Sequence, residues 1–158
     1  GLSGRAAAGA VALVVAMNIL GNIASGFVVD AGVSRKQLVI AASAIMAGCS
    51  IAIFAIPAPF WLKYAAAMLL SGVGGLIPGA LFGAAPFYAE RPAVVGTIIG
   101  LLLQSAGIGQ LVGPVLLAAA VERAGGWSGA LCYVLPASAL AAACAGALRP
   151  VAPMRAER

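Results

Sequence analysis

Apolar residues dominate the chain in five long runs, and polar residues fall almost entirely between them. The runs cover about 6–29, 37–56, 61–85, 93–121 and 127–148. Asp30 and Gly32 close the first, Pro57 and Pro59 the second, Pro86 the third, and Arg149-Pro150 the fifth, while Pro92 precedes the fourth. A helix that spans a bilayer needs about 20 mostly apolar residues, and each run supplies that length. The runs are rich in Ala and Leu and lack the period-two alternation of a membrane strand, so helices are predicted for all five. The joints between runs are short, which predicts that consecutive helices pack antiparallel. The expected fold is therefore an all-α integral membrane protein. It has one helical bundle over 1–148 and a basic, proline-containing tail over 149–158.

Composition agrees with lipid as the solvent. Hydrophobic residues make up 63% of the 158, and charged residues only 8%. A soluble domain carries about 25% charged residues. The net charge of +5 does not point to nucleic acid, because the basic residues are scattered between apolar runs with few aromatics beside them. They act better as topology signals. Arg35, Lys36, Arg91, Arg149, Arg155 and Arg158 fall on one side of the membrane; Arg5, Lys63 and Arg123 fall on the other. The excess places the C-terminus in the cytoplasm, with the inner membrane of a bacterium as the expected location. Trp61, Tyr64 and Trp127 then lie at the outer interface, where aromatic rings are favoured.

Candidate chemistry is sparse. There is no histidine, and Cys49, Cys132 and Cys144 form no CxxC pair, which leaves no expected metal site and no His-based triad. No convergent set of nucleophile, acid and base is evident, so no catalytic residue, cofactor or enzyme activity is expected. Asp30, Lys63, Glu90, Arg91, Glu122 and Arg123 all lie at the ends of runs. A proton-coupling acid would have to come from elsewhere.

Uncharged polar groups do occur inside the runs. Asn18, Asn22 and Ser25 recur at i, i+4 and i+7, on one helix face. Gln104, Ser105 and Gln110 interrupt the fourth run. Amides in hydrocarbon need partners, so these residues should face other helices or a water-filled path. Asn18, Asn22, Gln104, Ser105 and Gln110 are the candidates for lining such a path; interhelical hydrogen bonding is the competing role.

The fourth run also carries glycine pairs at Gly96–Gly100 and Gly109–Gly113, followed by Pro114. Small residues four apart allow close helix contact in lipid, and proline loosens the ladder behind it. Gly72, Gly74, Gly75, Pro78 and Gly79 repeat that chemistry on the third run. A hinge and static packing are the alternative uses of both stretches.

Two stretches together resemble a known family. The spacing Gly100, Gly109, Gly113-Pro114 resembles the Gly-Pro motif on the fifth helix of a six-helix half in major facilitator superfamily transporters, with Leu117 and Ala118 where the fuller motif ends in glycines. The stretch "GFVVDAGVSRK" from Gly26 to Lys36 resembles the loop motif that gates the cytoplasmic side in that family. Gly26, Asp30, Arg35 and Lys36 stand in matching places, and Ala31, Val33 and Ser34 depart from it. The order of the two stretches fits helices eight to twelve, with helices two to six as the alternative. The resemblance implies part of a secondary transporter that moves a small organic solute by alternating access, with a coupling proton as a further expectation. It implies Asp30, Arg35 and Lys36 as a gating corner, and the N-terminal half of the same transporter as partner beside the lipid bilayer. An odd number of spans and a first residue that is not Met are expected of a fragment. The alternative from another class is a small structural, self-associating membrane protein without transport activity.

Overall fold

The computed structural model describes residues 3–147. The tail over 149–158, with its three basic residues, lies outside them. Five helices follow in order: α1 (Gly4–Asp30), α2 (Arg35–Phe54), α3 (Phe60–Tyr88), α4 (Pro92–Arg123) and α5 (Leu131–Ala147). A single 3₁₀ turn (Trp127–Ala130) leads into α5, so that the last span covers Trp127–Ala147. All five segments are long and apolar enough to cross a bilayer, and no strand occurs among the described residues. The protein is an all-α integral membrane protein. None of the helices is strongly one-sided in its apolar character, which is expected where lipid replaces water around most of the surface.

The helix ends have local causes. Ser3 caps α1, its hydroxyl accepting from the Ala6 N–H. At α2 the Ser34 hydroxyl accepts from the Gln37 N–H while the Gln37 side chain accepts from the Ser34 N–H, a reciprocal cap that fixes the start. Gly32 supplies the positive φ of 95° that turns α1 into α2. The second helix stops at Phe54, ahead of Pro57, because the residues before a proline are pushed out of the helical region. The third does not stop at Pro86 but continues to Tyr88. A proline gives up one ladder bond, and near a helix end little ladder remains to be lost. The fourth likewise passes through Pro114 without a break in its helical run.

Neighbours in sequence are not the principal neighbours in space. The most extensive contact joins α1 to α3; next come α2 with α3 and α2 with α5. The adjacent pair α1 and α2 barely touches despite its short joint, and α4 touches α5 only lightly. The expectation of antiparallel packing between consecutive helices therefore holds well only for α2 and α3. The reason lies in which small residues stand opposite backbone: Gly21 on α1 meets the Gly72 carbonyl and Gly75 on α3 the Asn18 carbonyl, whereas Gly96, Gly100, Gly107 and Gly109 on α4 face no neighbour. The third helix is the centre of the bundle, and its Val73, Gly75, Ala80, Ala84 and Ala85 are buried. The fourth has no buried residue at all.

Candidate functional site: a polar seam and a basic cavity

The α1–α3 crossing is built from backbone. Gly21 lies against the Gly72 carbonyl, and Gly75 lies against the Asn18 carbonyl; a Cβ on either glycine would collide with backbone. At Gly79 a Cβ would come within 2.5 Å of the Asn22 carbonyl oxygen. Close approach brings polar groups within reach of each other. Asn18 Nδ2 donates to the Ser71 carbonyl (3.0 Å), and Ser71 Oγ donates to the Val14 carbonyl (2.6 Å). Nearer the start of both helices, the Tyr64 hydroxyl donates to the Ala10 carbonyl (2.9 Å). Ser25, buried, donates to the Asn22 carbonyl within its own helix (2.7 Å). The face of Asn18, Asn22 and Ser25 thus turns onto α3, with Asn22 left exposed. Each such bond in a membrane protein contributes about 0.6 kcal/mol on average, and about 1.7 at most.

The polar residues of α4 stand apart. Gln104, Ser105 and Gln110 are all exposed, and Ser105 satisfies its hydroxyl on the Leu101 carbonyl of the preceding turn (2.8 Å). No contact joins α1 and α4, so the structure does not bring Asn18 and Asn22 together with Gln104 and Gln110. The glycines at 96, 100, 107 and 109 meet nothing within 4 Å. Gly113 alone of that series has a neighbour, with the Tyr133 hydroxyl 3.2 Å from where its Cβ would be. Toward the end of α4 the buried Gly129 of the 3₁₀ turn fits beneath the Ala120 carbonyl, which secures that end only.

The corner between α1 and α2 is occupied mainly by its basic pair. Arg35 reaches α3: Nη2 donates to the Gly83 carbonyl (3.3 Å), and the guanidinium lies 4.6 Å above the Phe87 ring centre. Its Nε is buried without an acceptor. An unmet buried donor costs about 1–3 kcal/mol, and more where it is charged. Lys36 reaches α5, its Nζ donating to the Gly146 carbonyl (2.5 Å). Gly26 and Asp30 are exposed, and no neighbouring atom lies within 4 Å of a Cβ built at Gly26. The two cations thus tie α2 to backbone carbonyls of α3 and α5.

Beside this corner is a cavity of about 520 Å³. Its walls come from the last turns of α1 and α3, the first turns of α2 and the early turns of α4, including Val29, Arg35, Lys36, Ala84, Phe87 and Leu102. Arg35 and Lys36 are its charged lining, and no acidic side chain lines it. Sequence reasoning singled out Arg35 and Lys36 but not the cavity or Phe87, since the enclosure depends on how far α3 and α4 stand from α1. No group of His, Cys, Asp or Glu that could hold a metal occurs among the described residues. Comparison with known proteins finds no matching family profile, no similar curated protein and no similar solved structure.

Proposed function

We propose that the chain is part of a secondary transporter, in which α4 faces a second helical bundle across the path of a small organic solute. The observation that carries this reading is the state of α4. It is a helix of 32 residues with no buried residue, and Gln104 and Gln110 are exposed along it. A helix surrounded by lipid gains nothing from amides, because hydrocarbon offers them no partners. A helix beside a water-filled path or a second bundle gains hydrogen bonds from the same residues. The resemblance to the major facilitator superfamily in Gly26–Lys36 and Gly100–Pro114 gives such a path its mechanism. Two bundles rock about a central site and expose it to each side in turn. No covalent intermediate and no cofactor enter. The N-terminal half of the same transporter supplies the second bundle, and any proton-coupling acid resides there. On this reading the Arg35–Lys36 corner faces the cytoplasm in a bacterial inner membrane, and the excess of basic residues on that side supports the orientation.

The test is cysteine accessibility in the full-length protein in membranes. Cysteines placed at Gln104 and Gln110 should react with a water-soluble maleimide, and transported solute should protect them. Cysteines at Ile45 and Leu140, which are exposed on α2 and α5 away from the path candidates, should react at least about tenfold more slowly, as expected of a thiol in a dry, apolar site. Equal rates at all four positions would remove the water-filled path. A self-associating structural protein is the second reading, favoured by the uncovered pair Gly96–Gly100. It predicts that a cysteine at Gly100 cross-links between identical chains, which the transporter reading does not.

A further inference from the structure

We propose that the cavity at the α1–α2 corner binds a single anionic phospholipid, its phosphate on Arg35 and its upper acyl chain against α3 and α4. This inference rests on the membrane location alone and not on transport. The cavity lies where helices end, so its mouth is at headgroup depth and its walls run toward the hydrocarbon. Those walls are apolar: Val29 and Val39 on one side, Leu81, Ile98 and Leu102 on the other. A free phosphate has no use for them, whereas a glycerol backbone and the first methylenes of a chain do.

The charge is set for a phosphodiester. Arg35 is held by a carbonyl and an aromatic ring, not by a carboxylate, so its positive charge is not neutralised by its own supports. Those supports fix the guanidinium plane. Nη2 gives one hydrogen to Gly83 and Nε is buried, so the phosphate would meet the outer edge of the guanidinium, formed by its two Nη groups. Guanidinium binds phosphate oxygens through parallel N–H bonds, and a fork already held in place loses little entropy when it does so. Lys36 also lines the cavity, with its ammonium held on the Gly146 carbonyl of α5, and no acidic side chain lines the cavity to compete for Arg35. A zwitterionic headgroup would bring its own cation into this basic site. The preference should therefore be for a headgroup of net negative charge, of the phosphatidylglycerol kind.

The experiment is native mass spectrometry of the full-length protein released from a neutral detergent, with phosphatidylglycerol and phosphatidylcholine offered in equal amounts. The expected result is one retained phosphatidylglycerol per chain, with a preference of roughly tenfold over phosphatidylcholine. Arg35→Gln should abolish the preference, and Arg35→Lys should restore only part of it, because the charge returns without the fork. Leu102→Trp, which fills the apolar wall, should also reduce retention. Inorganic phosphate in excess should leave the retained lipid unchanged. Equal retention of the two lipids by the unaltered protein would overturn the proposal whatever the variants do. So would release of the lipid by inorganic phosphate together with indifference to Leu102→Trp, which would identify a free anion as the occupant.

Discussion

Two helices with five glycines each, α3 and α4, are used in opposite ways. On α3, Gly72 and Gly75 lie against the backbone of α1, so closely that a Cβ at Gly75 would collide with the Asn18 carbonyl. On α4, Gly96, Gly100, Gly107 and Gly109 touch nothing. The first set holds the bundle together; the second leaves a smooth, open flank. Glycine in a membrane helix is therefore not in itself a packing signal. It states that something could come close, and only the facing helix decides whether anything does. The polar residues divide in the same way: Asn18 is bonded across the α1–α3 seam, whereas Gln104 and Gln110 are exposed.

The sharpest way to break this contrast is a matched pair of substitutions. Gly75→Leu places a side chain where the Asn18 carbonyl is, and should destabilise the bundle by about 3 kcal/mol or more. Gly100→Leu should change stability by no more than about 0.5 kcal/mol, as at an uncovered surface, and under the proposed transporter function it should stop solute uptake by the full-length protein. Thermal unfolding in detergent reads the first effect, and proteoliposome uptake the second. If both variants unfold at the same temperature, the two helices do not differ as described. The joint between α1 and α2 gives a smaller effect. Gly32→Val forces a branched side chain to a φ of 95° and should cost about 1–2 kcal/mol, measured as a lowered unfolding temperature. Asn18→Ala follows, with a loss of about 0.6–1.7 kcal/mol from the severed bond to Ser71. Gln104→Ala should leave unfolding unmoved, and under the proposed transporter function it should change the apparent solute affinity instead. A Gln104→Ala variant that melts early would show that α4 is packed within the chain. Last, Ser34→Ala should cost about 1 kcal/mol through loss of the α2 cap, read in the same unfolding assay.

Helix number and span length were legible because the bilayer sets both. A run of apolar residues must reach across the hydrocarbon, and Arg35, Pro92 and Trp127 mark where the runs begin. Helix partnership was much less legible. In water a helix shows its buried side as an apolar stripe; on α1 the polar face of Asn18, Asn22 and Ser25 marks the side that meets another helix but does not say that the partner is α3. Spacing narrows the choice: Gly75 and Gly79 mark one face of α3 as open to close approach. It does not reveal that Gly21 is the residue opposite Gly72, because that depends on the crossing depth of two separate helices. At the candidate site, Arg35 and Lys36 were visible as a basic pair after a turn. Their anchors, the carbonyls of Gly83 and Gly146, belong to the backbone and carry no sequence signal. Phe87 was hidden for a different reason: Pro86 marks a helix end, yet α3 continues for two residues beyond it and carries the ring over Arg35.

The seam between α1 and α3 also imposes an order of events on biosynthesis. The bond from Asn18 to Ser71 joins residues 53 apart in the chain. At a synthesis rate of about 5–20 residues per second, Ser71 emerges roughly 3–10 s after Asn18. Throughout that interval α1 is a nascent span with its glycine notch empty and its amide unmatched, and α2 offers it little contact. Its insertion depends on whatever cradles it at the translocation site until α3 arrives, so slowing or pausing the ribosome between α1 and α3 should lengthen its exposure to quality-control proteases.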